Sequence, residues 1–344
     1  MCCALRGFFA CLSCVLLTLL AAPPTARASG AVHIKVATLA PKGSVYHRVL
    51  QDIGAAIRSS EGPESSFTVY TDGSQGGEAD VVRRMRIGQL NGALMTAVGL
   101  SEIDQSVTAL QMMPLLFRTP EEIEFVGSAL RPQIERNFLA RGFVAVMWSE
   151  AGWVRFFSRE SIAVPADLKA RKIFAWAGQP DQVELMKQLG YKPIVLETAD
   201  IIPGLQTGLI DCVALTPMFA LATQADVLAP HMVDVKWAPI AGALVFTQQA
   251  WEQMKPATRA AIHAAVLHAA DAMRVYQQRA DAEAIAAMQA RGLKVQHLDA
   301  AQLRHWDDFA AEIYPLIRGH MIPAATFDET MRLVAEYRAR PPTP

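Results

Sequence analysis

Residues 165–217 read PADLKARKIFAWAGQPDQVELMKQLGYKPIVLETADIIPGLQTGLIDCVALTP, and this stretch decides the fold class of the chain. Its pattern predicts a strand that ends in two large aromatic residues, a helix, a second strand, another helix and a third strand. This order is a βαβ unit run twice, which is typical of α/β proteins with parallel strands. Ligands of such proteins bind beyond the carboxyl ends of the strands. We therefore expect an α/β fold with its ligand site at that edge.

The segments on either side continue the alternation of strands and helices. Residues 33–40 have the alternating, β-branched pattern of a strand, and Ser44 then caps an amphipathic helix that runs to Ile57. Residues 251–291 are predicted to be helical, with at most a light break near Ala270. Since typical globular helices have 8–20 residues, this segment must either be broken or lie along more than one lobe.

The middle of the chain contains further extended segments. Residues 143–149 are predicted as a buried strand, and residues 153–158 continue the chain into a second lobe. Residues 236–247 are predicted to return as extended chain, and residues 295–298 as a short edge strand. We expect these segments to connect two lobes.

The first 28 residues have the composition of a targeting signal. Arg6 supplies a positive charge, residues 7–20 are almost wholly apolar, and residues 26–28 give the small-x-small pattern that signal peptidase cleaves. The apolar run is too short to cross a bilayer, which takes about 20 residues. We predict a cleaved signal peptide over residues 1–28 and a soluble periplasmic protein.

Removal of that segment would leave Cys212 as the one remaining cysteine. A single thiol cannot form an internal disulfide, so the core must hold the protein together. The remaining length, roughly 315 residues, is enough for two lobes of ordinary domain size. The formal net charge is −1 and the basic residues are scattered, which argues against nucleic acid as a partner.

The sequence lacks the motifs of the common enzyme classes. It has no G-x-S-x-G elbow, no H-E-x-x-H pair and no phosphate-binding glycine loop. The glycine-rich turn at residues 73–77 is not accompanied by an assignable general base. His231, His263 and His268 have no partners at metal-ligand spacing, and we interpret them as solvated residues. We predict a protein that is not an enzyme and uses neither a cofactor nor a metal.

Two sets of short blocks resemble the extracytoplasmic solute-binding subunits of TRAP transporters. In the second half of the chain, the D-L-K, K-I, L-G and L-Q-T-G-x-x-D blocks of that family stand at residues 167–169, 172–173, 189–190 and 205–211. In the first half, the matching turns and the L-P-F-L-F-like loop stand at residues 40–44, 75–78, 88–91 and 113–117. Each block is weak alone, but their order and spacing cover nearly the full mature chain.

The resemblance implies an α/β, two-lobed periplasmic-binding-protein-like fold of type II, with mixed sheets flanked by helices and a long helix that spans both lobes. We expect lobe 1 at residues 31–152 and 243–285, and lobe 2 at residues 153–242. Residues 286–340 would form a C-terminal strand and helices that pack on the lobes. The resemblance also implies hinge closure over a small ligand and TRAP membrane subunits as partners.

One position departs from the family in a way that bears on the ligand. Family members carry an arginine at the end of the first strand of lobe 2, whose forked donors match a substrate carboxylate, and an asparagine further on assists. This chain has Phe174 and Thr216 at the matching positions. A carboxylate buried without a cation costs several kcal/mol. We therefore predict a hydrophobic or amphipathic ligand rather than the family's usual organic acids.

Several apolar residues are candidates to line the site with Phe174. Strand alternation places Trp176 on the same side as Phe174, so both face the cleft or both face the core. The other apolar candidates are Trp153, Met112, Met113, Met218 and Phe219. Methionines in such a pattern are more often core residues than pocket residues, and Thr216 could cap or bend a strand end.

Two alternatives remain open at this stage. Arg155 could act as a relocated cation in a carboxylate-binding subunit, or it could be a structural partner of Glu150. A non-binding periplasmic scaffold is the more remote alternative. A variant of TRAP systems combines a subunit that lacks the arginine with a tetratricopeptide-repeat periplasmic protein, and Phe174 makes this chain resemble that variant.

Overall fold

The computed structural model describes residues 31–340, without the side chains of residues 271, 272 and 278. The predicted signal peptide, residues 1–28, lies outside the described residues. Within the described part of the chain, no helix combines the length and the apolar character needed to cross a membrane.

One mixed sheet runs through the described residues. Its strands are β1 (His33–Thr38), β2 (Ser66–Tyr70), β3 (Gly92–Thr96), β4 (Phe143–Ser158), β5 (Lys172–Trp176), β6 (Lys192–Leu196), β7 (Cys212–Leu215), β8 (His231–Thr247) and β9 (Lys294–Gln296). They lie in the order β2-β1-β3-β8-β4-β7-β5-β6, and β9 pairs with β8.

Helices flank this sheet. They are α1 (Val45–Glu61), α2 (Glu78–Arg86), α3 (Ala97–Ser101), α4 (Pro120–Ala140), α5 (Pro180–Gln188), α6 (Ile201–Thr207), α7 (Pro217–Thr223), α8 (Ala225–Leu228), α9 (Gln248–Gln253), α10 (Pro256–Gln289), α11 (Ala300–Ile317) and α12 (Ala324–Ala339). Short 3-10 turns occupy Gln105–Leu110, Pro165–Ala170 and Thr198–Asp200.

The sheet has two parallel parts joined by antiparallel strands. In the first lobe, β1 pairs in parallel with β2 and β3; in the second, β5 pairs in parallel with β6 and β7. β8 and β4 lie between them and pair antiparallel with each other and with β3 and β7 respectively. This two-lobed α/β arrangement confirms the predicted fold class.

The strands of the opening block form as the sequence predicts, and its polar residues explain the local shape. The Asp211 carboxylate accepts from the backbone N–H of Lys172 at 2.7 Å, which ties the start of β5 to the turn before β7. The Asp167 carboxylate accepts from Ala163 N and Val164 N at 2.8 and 3.0 Å. The two aspartates therefore hold backbone amides and contribute to the fold rather than to the site.

The two connecting strands are longer than the sequence pattern predicts. β4 is one 16-residue strand where a strand over residues 143–149 was predicted, and β8 has 17 residues where extended chain over residues 236–247 was predicted. The pairing of β4 with β8 is irregular between Glu150 and Trp153, where Gly152 has φ +84°, a left-handed conformation that favours glycine. The predicted lobe boundaries, 152/153 and 242/243, fall inside β4 and β8, and they stay a prediction.

The long helix lies along both lobes, as the resemblance implies. α10 has 34 residues and packs against α1 of the first lobe and α7 of the second. The segment predicted to be helical is interrupted at Met254 and Lys255, between α9 and α10, and α10 continues through residue 270 without a break. Pro256 explains the position, because proline begins a helix readily and disfavours helical backbone at the residue before it.

Each lobe buries apolar side chains on both faces of the sheet. In the first lobe, α1 covers one face with Ile53 and Ile57, both fully buried, and α4 covers the other with Phe138. In the second lobe, Phe157 and Leu205 lie in the core on one face, while Trp306 of α11 fills the other. Side chains from both lobes meet at the strand ends that lie between the two cores.

Candidate functional site

Three adjoining cavities lie where the two lobes face each other. Thr38 ends β1, Thr96 ends β3, Trp176 ends β5 and Thr216 follows β7, and all four residues line the first cavity. These are carboxyl ends of parallel strands, the edge at which α/β proteins bind ligands.

The first cavity has a volume of about 140 Å³ and takes walls from both lobes. Leu94 and Met95 of β3 line it from the first lobe, while Met218 and Phe219 of α7 line it from the second. Most of its lining is aliphatic or aromatic, and threonine hydroxyls supply several of its few polar groups. Such a lining favours apolar ligand groups over charged ones.

The second cavity, about 160 Å³, lies on the other side of a wall that it shares with the first. Its aromatic lining includes Phe174 of β5, Trp237 of β8 and Phe309 of α11. The shared wall consists of Val98, Gln111, Val154, Trp176, Ala214 and Ile240. A third cavity of about 150 Å³ adjoins the first at Trp176 and Glu78.

Phe174 and Trp176 lie on the same side of β5. Both line the second cavity, and their rings meet edge to face with centroids 4.9 Å apart. Phe174 is also a core residue, since it is 3 % exposed and packs with Leu205 and Phe157. Trp176 is partly buried, lines all three cavities, and donates through Nε1 to Thr198 Oγ1 at 3.3 Å.

Thr216, Met218 and Phe219 all line the first cavity. Thr216 also caps α7, because its Oγ1 accepts from the Phe219 N–H at 3.4 Å. The cap fixes the start of the helix that carries Met218 and Phe219. Met112 lines the second cavity, and its Sδ lies 3.6 Å from Nε2 of Gln179.

The structure places Met113, Trp153 and Arg155 away from these cavities. Met113 is fully buried in the core of the first lobe, and Trp153 is 7 % exposed beneath the Lys236 ammonium, 5.2 Å from its ring centroid. Met112 and Met113 therefore point in different directions, which their adjacency in the loop did not reveal.

Arg155 forms a buried ion-pair cluster that links three elements. Its Nη1 lies 2.9 Å from Oδ2 of Asp281 on α10, and its Nε lies 3.4 Å from Oδ1 of Asp234 on β8. The arginine side chain is 6 % exposed. Its partners are these aspartates rather than Glu150, the structural partner considered from the sequence.

Glu78 is the buried carboxyl of the site and reaches the first and third cavities. It accepts from Thr96 N at 2.7 Å, Thr96 Oγ1 at 2.6 Å and Gly99 N at 2.9 Å. Burial raises the pKa of this carboxyl to about 7, and the three hydrogen bonds offset part of that rise.

The other charged groups at the cavities are also acidic. Glu197 of the second lobe and Asp80 of α2 line the third cavity, and burial and the nearby Asp80 raise the pKa of Glu197. Glu197 lies so close to Gly77 that a Cβ atom there would overlap its carboxylate. Among the described residues, no lysine, arginine or histidine lines any of the three cavities.

Among the side chains that the structure describes, no three or more histidine, cysteine, aspartate or glutamate residues are arranged to hold a metal ion.

We expect the free energy of unfolding to depend on pH through Glu78. Its folded-state pKa is raised, so the folded state holds a proton between about pH 4.5 and 7 that the unfolded chain has lost, and stability falls as pH rises through this range. The decrease is at most about 3 kcal/mol. Urea unfolding of wild type and E78Q at pH 5 and pH 8 measures it, and E78Q should lose less stability with rising pH. Parallel pH profiles would show that Glu78 does not titrate in this way.

Sequence reasoning missed Gln111, Glu78 and Glu197. In the sequence, Glu78 was placed only in the turn block at residues 75–78, although a carboxylate at a helix N-terminus after a glycine turn is a usable signal. Gln111 and Glu197 belong to no sequence motif that would mark them as site residues. They reach the cavities because long-range packing brings the two lobes together.

An α/β fold with two lobes and ligand-sized cavities between them defines a solute-binding protein of the periplasmic-binding class. The sequence matches the DctP model, bacterial extracellular solute-binding protein family 7, over residues 36–318, and the chain belongs to this family. It is therefore an extracytoplasmic solute-binding subunit of the TRAP type and not an enzyme.

Solved structures of low sequence identity share the fold. The TRAP periplasmic solute-binding protein of Ralstonia eutropha with bound (S)-2-acetolactate matches with a TM-score of 0.80 and 18 % identity, covering 88 % of this chain and 99 % of that one. The TRAP protein of Xanthobacter autotrophicus with bound β-D-galacturonate matches with a TM-score of 0.77, the same identity and the same coverage. The uncharacterized protein YiiZ of Salmonella typhimurium is 25 % identical over 222 residues, 63 % of this chain and 67 % of that protein.

Proposed function

We propose that this subunit binds a neutral hydrophobic or amphipathic small molecule for a TRAP transporter. The observation that carries the proposal is the lining of the cavities: aromatic and aliphatic side chains from both lobes, and no cationic side chain among the described residues. Phe174, which stands where the resemblance expects the arginine, is part of this lining.

The energetics of burial favour such a ligand. Apolar surface gains about 25 cal/mol per Å² when it leaves water, and Trp176 with Phe174 offers a large aromatic surface for it. A carboxylate in the same place would lose its hydration without a cation in return, at a cost of several kcal/mol. Ionised Glu78 or Glu197 would add repulsion.

A carboxylate-binding subunit is the second candidate, because related folds were solved with acetolactate and galacturonate bound. The relocated anchor in that case would be Arg155. To reach a ligand, this side chain would have to leave Asp281 and Asp234 and expose two uncompensated carboxylates. This cost weighs against the second candidate. A non-binding scaffold would not need cavities of this size and lining.

Members of this family work with membrane subunits of a TRAP transporter. The tetratricopeptide-repeat partner stays a prediction that rests on Phe174. Periplasmic export through the signal at residues 1–28 is part of the proposal as well.

Extraction of the purified protein tests the ligand class. We expect denaturation in organic solvent to release a neutral apolar compound that mass spectrometry detects, and native mass spectrometry to show the same mass bound. Titration with succinate, galacturonate and acetolactate serves as the control and should show no saturable binding below millimolar concentration. Tight, salt-sensitive binding of any of these acids would overturn the proposal and favour the carboxylate-binding candidate.

A further inference from the structure

Gln111 places an unused hydrogen-bond donor in the wall between the first and second cavities. The residue follows the 3-10 turn Gln105–Leu110, is 7 % exposed, and lines both cavities. A buried amide that faces two apolar cavities is unusual, because buried polar groups are nearly always hydrogen-bonded.

The backbone fixes which end of this amide faces the cavities. Oε1 of Gln111 accepts from the N–H of Ala241 at 3.1 Å. A backbone N–H can only donate, so the oxygen must lie on that side and the NH₂ group on the other.

The NH₂ group has no protein acceptor among the described residues. The Gln111 side chain makes one hydrogen bond to the described residues, the bond that Oε1 accepts from the N–H of Ala241. Nε2 of Gln111 is also not fully enclosed by protein, since the enclosed side-chain nitrogen and oxygen atoms without a partner in the described part of the chain are Nε of Arg131 and Nε of Arg171. The donor therefore opens into cavity space.

We propose, building on the proposed apolar ligand, that Gln111 Nε2 donates a hydrogen bond to an uncharged carbonyl oxygen of that ligand. The ligand class is then an amphipathic ester, ketone or amide rather than a hydrocarbon or an acid. Gln111 sets this specificity because the wall it belongs to is otherwise formed by Val98, Val154, Trp176, Ala214 and Ile240.

The chemistry of the surroundings selects a neutral acceptor. A carboxylate needs several donors or a cation, and a single amide N–H group does not replace them. A hydroxyl group could accept from Nε2 but brings its own proton, which needs an acceptor. A carbonyl oxygen has no such requirement. The second buried amide of the region, Gln179, is 8 % exposed, lines the second cavity and is likewise uncharged.

Matched probes test this assignment in the purified protein. The probes are methyl hexanoate, nonane with the same number of non-hydrogen atoms, and the hexanoate anion, each measured by displacement of the neutral fluorophore N-phenyl-1-naphthylamine. We expect Gln111→Met to weaken methyl hexanoate about tenfold, the effect of one hydrogen bond, and to leave nonane unchanged. Equal losses for both probes, or no loss for the ester, would overturn the assignment.

A second variant keeps the test decisive if Gln111→Met does not fold. Gln111→Glu retains an oxygen for the Ala241 N–H and removes the NH₂ donor, so at pH 8 the ester should again lose affinity relative to nonane. An unchanged ester-to-nonane ratio would contradict the proposal. If hexanoate binds the wild-type protein more tightly than both neutral probes, the proposed function itself fails. If the neutral probes bind but their affinities are the same in the wild type and in the Gln111 variants, only this inference is overturned.

Discussion

Arg155→Ala lowers the free energy of unfolding by about 3–5 kcal/mol, the range observed when one partner of a buried ion pair is removed. The arginine side chain is 6 % exposed and Asp281 is 17 % exposed, so the variant leaves a largely buried carboxylate without its cation. Asp234 is 39 % exposed and contributes less, because water screens it. Asp281 also accepts from Trp153 N at 3.3 Å next to Gly152, so the lost cation weakens a contact at the irregular point of β4.

Urea denaturation followed by circular dichroism measures this change, with Arg332→Ala as the matched control. Arg332 is 58 % exposed and pairs with Glu329 and Glu336 within α12, so its loss should cost less than about 1 kcal/mol. Equal effects of the two substitutions would show that the Arg155 cluster is not a buried structural link.

The same variant separates the two readings of Arg155 that the sequence left open. A structural arginine changes the stability and leaves the ratio of affinities for neutral probes and acids as it was. A relocated anchor would instead remove saturable carboxylate binding, if wild type has any. The two outcomes are measured in different experiments, so a loss of stability cannot be mistaken for a loss of recognition.

Local chemistry made much of the fold predictable from the sequence. Ser44 caps α1 with its Oγ accepting from His47 N, and Asp299 caps α11 together with Gln302. Such caps depend on residues within one turn of the chain, which sequence patterns capture. The strand order of residues 165–217 followed for the same reason, since each strand and helix there carries its own periodicity.

Features that depend on distant residues could not be predicted in this way. The continuity of β4 through Gly152 is set by its pairing with β8 and by Asp281, a residue far along the chain. Met112 contacts Gln179 at the start of α5, whereas Met113 is buried in the core, and this difference depends on how the loop is oriented by distant residues. Phe174 shows the limit most clearly, because the sequence left a choice between cleft and core, and the side chain is buried in the core while it lines the second cavity.

Trp176→Ala is expected to reduce ligand affinity by about 2–4 kcal/mol, or roughly 30- to 1,000-fold. Trp176 is the one aromatic residue, among those described, that lines all three cavities, and its ring centroid lies 4.9 Å from that of Phe174. Truncation removes this aromatic surface and joins the cavities into one space that admits more water. The pairing of β5 with β6 and β7 is unchanged. Displacement of N-phenyl-1-naphthylamine by the extracted ligand measures the loss.

Trp148→Ala is the control, because Trp148 lines none of the three cavities and packs on Phe138 in the first lobe. It should lower the stability without changing the affinity. Trp176→Phe should restore most of the affinity, since a phenyl ring keeps the apolar surface and loses only the hydrogen bond to Thr198. If Trp176→Ala left the affinity unchanged, the ligand would not lie between the lobes at this tryptophan. The cavities would then be packing defects rather than a ligand site.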